Sequence, residues 1–354
     1  MTYLWPPTLR LPARPPKLVY LDLLHWIALS KANKSRPDGD QFKDVLKSCV
    51  EAVKQGAAVF PISDAIFMEV AKIGPHRQRR DLREVIELVS RYMVVTSREV
   101  VAEHEVEALL DRLVGPRPDP INEMDYLDWG VARAFGKVGG LRVIRGDDGA
   151  DITEEVRARD PGGPNAFDRK IAWAELELNR RTLEGPTAEE EPELRREGWD
   201  PMAAMEVTAQ RATQEIEQVQ RFNTNPAWRL GHLRDVVMAR EVLIEINEML
   251  SRGLTARDTT VEAAFPDPEV ARHAFDVMPS FDVSVSLKTA YHRNPAHNWT
   301  PNDIYDIDAL ASTLPYCDIV ITDKQAASTV VQSGLSKRFE AVVLPHLADL
   351  PKYL

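Results

Sequence analysis

The sequence predicts that the carboxylates of four acidic residues share one site. These residues are Asp22, Glu69, Asp306 and Asp323. Carboxylates a few ångströms apart repel one another unless protons or a cation intervene. Hard divalent ions such as Mg²⁺ and Mn²⁺ prefer oxygen ligands, and carboxylates together with water often hold them. Such a centre activates water and stabilises in-line displacement at a phosphodiester. The four acids therefore predict a Mg²⁺ or Mn²⁺ site that hydrolyses phosphodiester bonds.

Two of these acids end predicted strands, and a third lies in a helix after another strand. Asp22 and Asp323 end the apolar runs KLVYLD and DIVITD, which predict buried strands. Glu69 lies in the helix DAIFMEVAKIG, which follows the predicted strand AAVFPIS. In an open parallel sheet, ligands collect outside the carboxyl ends of the strands. We therefore expect the acids to meet at this edge of the sheet.

The predicted helix NDIYDIDALAST offers two further candidate ligands, Asp306 and Asp308. Both lie near its start, where the positive end of the helix dipole favours anions. Asp306 is favoured because it is closer to the start, and Asp308 is the alternative ligand or a supporting residue. Asp303 is the expected N-cap. Asp318 begins the next strand, at the end opposite to the proposed site, and is expected to serve the preceding turn.

Strands and helices alternate at both ends of the chain but not in its middle. Residues 17–97 and 300–354 show this alternation, which is typical of a parallel sheet with helices on its faces. Residues 98–299 are largely helix formers interrupted by Gly and Pro, and residues 1–16 are a Pro-rich N-terminal arm. The sequence therefore predicts one discontinuous α/β domain with a large, mostly helical insertion.

Three segments resemble the acidic motifs of the PIN-domain ribonucleases: LVYLDLLHWIALSK, FPISDAIFMEV and DIYDIDALASTLPYCDIVITDK. The resemblance covers residues 17–97 and 300–354 and does not extend to the residues between them. It implies a Rossmann-like parallel sheet with helices on both faces. It also implies cleavage of single-stranded or structured RNA with Mg²⁺ or Mn²⁺.

The same resemblance assigns site residues. Metal-binding and catalytic roles carry over to the acids that match the family's motifs, namely Asp22, Glu69, either Asp306 or Asp308, and Asp323. Thr322 matches the hydroxyl residue that commonly precedes the last acid, and it is a candidate substrate contact.

Basic and aromatic residues near the acidic motifs are further candidate substrate contacts. The run HRQRRDLR contains Arg79 and Arg80, whose guanidinium groups suit RNA phosphates, although a solvated helix face is the alternative. The run YHRNPAHNW contains Arg293 and precedes the last acidic motif, and its aromatic rings suit stacking on an unpaired base. His25, one turn after Asp22, either contacts substrate or is a structural histidine.

The composition limits the classes of protein. A net charge of -11 argues against sequence-independent coating of nucleic acid but leaves room for a local basic patch or a metal site. No apolar run approaches the length of a membrane span. Two cysteines are too few for a disulfide framework, and the N-terminus lacks the pattern of an export signal. We therefore expect a cytoplasmic protein without a membrane partner.

The leading hypothesis is a metal-dependent endonuclease, with RNA as the favoured substrate. The first alternative is a PIN-like fold used as a non-catalytic binding or scaffold module, whose helical insertion docks a protein partner. The second alternative keeps the acids and changes the substrate, as in a DNA nuclease or a phosphatase. A homo-oligomer is compatible with each hypothesis.

Overall fold

The strands of the protein are short and form two parallel sheets and one antiparallel pair. The computed structural model describes residues 2–200 and 203–354. Its strands are Leu9–Arg10 (β1), Lys17–Leu21 (β2), Ala58–Val59 (β3), Met93–Val95 (β4), Met124–Asp125 (β5), Leu127–Trp129 (β6), Ile319–Ile321 (β7) and Val342–Leu344 (β8).

Helices account for most of the remaining chain. The first nine are Leu23–Asn33 (α1), Lys43–Lys54 (α2), Asp64–Ala71 (α3), His76–Ser90 (α4), Arg98–Val114 (α5), Val131–Ala134 (α6), Thr153–Arg159 (α7), Pro164–Glu184 (α8) and Glu191–Arg196 (α9). The others are Ala203–Thr224 (α10), Pro226–Gly231 (α11), Leu233–Glu241 (α12), Asn247–Thr255 (α13), Val261–Ala264 (α14), Pro268–Asp276 (α15), Pro279–Arg293 (α16), Pro301–Thr313 (α17), Lys324–Gln332 (α18) and Leu335–Arg338 (α19). A π-helical segment, Val242–Ile246, joins α12 to α13, and 3₁₀ turns cover Pro37–Phe42 and Leu347–Lys352. In the two described ranges, no helix is both long and apolar enough to cross a membrane.

The central sheet has four parallel strands in the order β3-β2-β7-β8. Its two middle strands come from opposite ends of the chain, so that both ends contribute to one parallel sheet. The chain leaves β2 towards β3 on one side and leaves β7 towards β8 on the other side. The boundary between β2 and β7 is therefore a point where strand order reverses, the position at which open α/β sheets place their ligands.

The central strand β2 is covered on both faces because its side chains alternate between two cores. Val19 and Leu21 pack into one core together with Trp26 of α1 and residues of α2 and α4. Leu18 and Tyr20 pack into the other core, which α16, α17 and α18 fill. A strand covered on both faces has a continuous apolar sequence, and this explains the run LVYL.

Paired strands also occur in the segments predicted as an N-terminal arm and as a helical insertion. Strand β1, in the arm, pairs in parallel with β5, and β6 pairs antiparallel with β4. A parallel bridge from Ile62 to Val94 places β4 next to the central sheet. Helix α16 packs directly on α17. The division into a core of residues 17–97 and 300–354 and an insertion of residues 98–299 stays a prediction, and hydrogen bonds cross both of its boundaries.

A buried ion network links the helical region to α17. The Lys288 ammonium is only 2% exposed and lies 3.0 Å from a carboxylate oxygen of Glu215 and 2.5 Å from one of Glu241. Arg98 and Arg211 form ion pairs with Asp308 on α17. Buried charges are tolerated when each has a partner. The network therefore fixes the position of α17 against α10, α12 and α16.

Replacing the central cation of this network tests its role in stability. We expect Lys288→Met to lower the free energy of unfolding by about 3–5 kcal/mol, because two buried carboxylates lose their shared partner. Urea unfolding followed by circular dichroism measures the change. Lys352→Met is the matched control, since the Lys352 side chain is 70% exposed, and it should change the stability little. Equal losses in the two variants would contradict the assigned role.

Candidate metal centre

Two neighbouring strands are each followed by an aspartate that caps the next helix. Asp22 follows β2, and its Oδ1 accepts a hydrogen bond of 2.5 Å from the backbone N–H of Leu23 at the start of α1. Asp323 follows β7, and its Oδ1 accepts hydrogen bonds from Gln325 N at 2.6 Å and Ala326 N at 3.1 Å at the start of α18. The pairing of β2 with β7 brings the two carboxylates to the same sheet edge.

Helix α17 contributes a third carboxylate. Thr300 is the N-cap of this helix, and Asp303 completes a capping box with it. The prediction that Asp303 is itself the N-cap is therefore wrong by three positions, because Thr300 and Asp303 share the capping role. Asp306 lies one turn further along. One oxygen each from Asp22, Asp306 and Asp323 lies within 4.8 Å of the other two.

The electrostatics of this group are those of crowded, partly desolvated carboxylates. Burial, followed by the negative charges of Asp22 and Asp323, raises the pKa of Asp306 to about 8. Burial also raises the pKa of Asp22 to about 6, with a further contribution from Asp323 and an opposing one from the Leu23 N–H. Proteins without a cation at such a site must hold protons there, and a divalent ion would replace them.

Glu69 and Lys72 extend the group from α3. Burial and then the charge of Asp22 raise the pKa of Glu69 to about 7, but Glu69 lies outside the set of three close oxygens. The Lys72 ammonium lies 3.7 Å from the centre of the Tyr305 ring and interacts electrostatically with Glu69 and Asp306. Sequence reasoning missed Lys72. Its signal was the three-residue spacing from Glu69, which places both side chains on one helix face.

Asp308 does not join the three carboxylates. Burial alone would raise its pKa, but the guanidinium groups of Arg211 and Arg98 hold the pKa of Asp308 well below its usual range. An oxygen of Asp308 lies 2.5 Å from Nη1 of Arg211. The structure therefore corrects the alternative prediction that Asp308 is a metal ligand. Its carboxylate forms ion pairs with two arginines instead.

Thr322 and His25 support the carboxylates from within the core. The Thr322 hydroxyl donates a long hydrogen bond of 3.4 Å to Oδ2 of Asp22. Nε2 of His25 donates to the Thr322 carbonyl at 3.2 Å, and because a carbonyl only accepts, this nitrogen carries the proton. Burial lowers the pKa of His25. Both side chains are buried, and the role of the two residues as substrate contacts stays a prediction.

The predicted basic contacts separate into three cases. The Arg79 guanidinium is buried and donates to the carbonyls of Ile73, Gly74, Glu184 and Pro186 at 2.5–2.8 Å. The prediction that Arg79 holds phosphate is therefore corrected, since backbone carbonyls occupy its donors. Arg80 is exposed. Arg293 is exposed and lines a cleft of about 710 Å³ that also includes Asp303 and Gln325.

Asp318 lies at the far end of β7, as predicted. Its Oδ2 accepts a hydrogen bond of 2.7 Å from Leu18 N, and its carboxylate forms an ion pair with Arg14. The aspartates of residues 302–323 thus have separate tasks. Asp303 and Asp318 stabilise the ends of elements, and Asp308 ties α17 to the helical region. Asp306 and Asp323 join the site.

No family model matches the chain, and neither a curated protein nor a solved structure matches it. The resemblance of the acidic motifs to the PIN-domain ribonucleases therefore stays a prediction. The chemistry of the site has to be inferred from its own residues.

The raised pKa values predict an inverted pH dependence of stability in the absence of divalent ions. Asp22, Glu69 and Asp306 bind protons more tightly in the folded chain than in the unfolded chain, where their pKa values lie near 3.8 and 4.5. Their contribution to stability is complete below about pH 4 and is lost as the pH rises through about 6 to 8. Asp306→Asn should flatten this decline.

Urea unfolding in chelator at several pH values between about 5 and 8 measures the difference. Asp44→Asn is the control, because Asp44 is exposed at the start of α2, and it should keep the slope of the unmodified chain. If Asp306→Asn and the unmodified chain lose stability in parallel, the assigned crowding of carboxylates is wrong.

Proposed function

We propose that this chain is a metal-dependent phosphodiesterase that cleaves RNA internally. The observation that supports the proposal best is the meeting of Asp22, Asp306 and Asp323 at the point where strand order reverses. Three separate elements deliver these oxygens, and no basic side chain forms an ion pair with any of the three among the described residues. Structural ion pairs therefore do not account for the group.

The three residues fit a Mg²⁺ or Mn²⁺ ion. All three donors are carboxylate oxygens, the ligand type that these ions prefer. Burial and then the neighbouring carboxylates raise the pKa values of Asp22 and Asp306, and a bound cation would favour the charged forms of both groups. When bound, such an ion activates water and offsets negative charge on the scissile phosphate. Asp22, Asp306 and Asp323 would hold it.

Backbone and side-chain groups of the protein fill the remaining roles in the reaction. The backbone N–H donors at the starts of α1 and α18 fix the orientation of Asp22 and Asp323, so that both carboxylates are held in place before an ion binds. Glu69, whose pKa is raised to about 7, accepts a proton from the attacking water. Lys72 contacts a phosphate oxygen of the substrate and stabilises its developing charge.

The choice of RNA comes from the acidic motifs that resemble the PIN-domain ribonucleases. The three carboxylates alone are equally compatible with cleavage of DNA or of a phosphomonoester. They are also compatible with a scaffold that holds an ion without catalysis. These alternatives are outcomes of the cleavage assay below.

Metal binding and cleavage are tested together. We expect Mn²⁺ to raise the melting temperature of the unmodified chain, because binding to the folded state alone stabilises it. Asp306→Asn and Asp323→Asn should lose most of this response. Asparagine is as good an N-cap as aspartate, so the second substitution preserves the start of α18. Asp44→Asn should respond like the unmodified chain.

The cleavage assay uses labelled RNA, single-stranded DNA and flap DNA with Mg²⁺ or Mn²⁺. We expect cleavage of RNA within the strand, no cleavage in chelator, and no cleavage by Asp306→Asn or Asp323→Asn. Cleavage that persists in chelator would refute the mechanism. Mn²⁺ stabilisation without cleavage of any substrate would favour the scaffold alternative.

Lys72 gives a separate test, because no family motif suggested it. Lys72→Met should keep the Mn²⁺ response of the melting temperature and lower the rate of cleavage by about 100- to 1,000-fold, the usual loss for one transition-state contact. Lys72→Arg should recover part of that loss. Lys54→Met, on the exposed face of α2, is the control. Unchanged cleavage by Lys72→Met would remove Lys72 from the mechanism.

A further inference from the structure

A cleft of about 710 Å³ opens beside the carboxylates. It lies between the end of α16, the connection to α17, the first turn of α17 and one side of α18. Two of its lining residues are close to the site in the chain. The backbone N–H of Gln325 donates to Asp323, and Asp303 is one turn before Asp306 on α17. The cleft therefore lies next to the edge of the sheet at which the carboxylates meet.

One wall of the cleft is aromatic and rigidly supported. The rings of Tyr291 and His297 stack with centroids 4.6 Å apart and an interplanar angle of 22°. The buried Trp299 packs edge-on against both rings. Nε2 of His297 lies 3.3 Å from Oδ1 of Asp303, which ties the wall to α17. Planar ligands stack on fixed aromatic side chains of this kind.

The other walls are polar and mostly uncharged. Amide side chains line them, at Asn294, Asn298, Gln325 and Gln332. Asn and Gln side chains carry a donor and an acceptor side by side, which is the pattern that pairs with the edge of a nucleobase. Nε2 of Gln332 donates to Oγ of Ser328 at 2.9 Å, which leaves its Oε1 to accept from a base. Arg293 is the cation at this cleft, and its exposed guanidinium suits a phosphate. An apolar ligand would need walls of the opposite character.

We propose that this cleft binds one unpaired nucleotide of the substrate strand beside the scissile phosphate, and thereby gives the enzyme a base preference at that position. The inference rests on the proposed function and adds the substrate class to it. Amide side chains read the base edge, the aromatic wall supports its ring, and Arg293 holds the adjoining phosphate. The volume lies within the usual range of nucleotide-sized pockets.

The same geometry selects single-stranded substrate. In an RNA duplex the base edges are paired and the deep major groove excludes side chains, so sequence is read from loops, bulges and ends. A base can enter this cleft only when it is unpaired. The enzyme would therefore cut loops and single strands and spare duplex stems.

Binding is measured without cleavage. The full-length Asp306→Asn chain is titrated with AMP, GMP, CMP and UMP by isothermal titration calorimetry. We expect one nucleotide to bind more tightly than the others. Adding Asn298→Ala or Gln332→Ala should reduce that difference by about 5- to 100-fold, the range for one amide–base pair. Adding Arg293→Ala should weaken all four nucleotides alike. Gln55→Ala, at the end of α2, is the control and should change nothing.

Cleavage of an RNA with a randomised loop, followed by sequencing of the product ends, measures the preference in the active chain. Asn298→Ala and Gln332→Ala should flatten the base preference, with the melting temperature preserved. Cleavage with no base preference, or with a preference that both variants keep, would overturn the cleft proposal while the nuclease stands. Base-selective binding that the variants abolish, without cleavage of any nucleic acid, would support the cleft and overturn the proposed function.

Discussion

The parallel pairing of β2 with β7 is the constraint on which the rest of the site depends. Leu21 lies opposite Ile321, and the Asp22 N–H donates to the Ile321 carbonyl at 2.9 Å. This register ends both strands at one level. Asp22 follows β2 directly, and Asp323 follows β7 after Thr322, at the same edge of the sheet. Each aspartate then starts a helix, and the helix N–H groups fix its carboxylate. Two segments about 300 residues apart in sequence thus form one half-site through backbone geometry alone.

Helix α17 completes the half-site because it is fixed from two sides. Successive residues of an α-helix are rotated by about 100°, so residues two apart point in nearly opposite directions. Asp308 points towards Arg98 and Arg211, and the opposite direction carries Asp306 to the other acids. The orientation of α17 therefore sets the positions of both aspartates at once. The ion pairs of Asp308 offset its burial, and they hold in place the helix that brings Asp306 into repulsion with Asp22 and Asp323.

These contacts explain which features the sequence could and could not reveal. The strands β2 and β7 were predictable, because continuous apolar runs mark them directly. Strands β1, β5 and β6 have two or three residues each, too few for any periodicity to appear. The choice between Asp306 and Asp308 depended on arginines in α5 and α10, and that is tertiary information. Arg79 looked like part of a basic surface, but carbonyls from α8 and its following turn bury it.

The same two helix starts, those of α17 and α18, position both the cleft and two of the carboxylates. The capping box of Thr300 and Asp303 starts α17, and Asp303 also holds His297 in the aromatic wall. The start of α18 orients Asp323 and presents Gln325 to the cleft. A strand bound in the cleft would thus contact the same two helix starts that position two of the three ligands. Substrate binding and metal binding would then be coupled through rigid elements, which is the arrangement that catalysis by positioning requires.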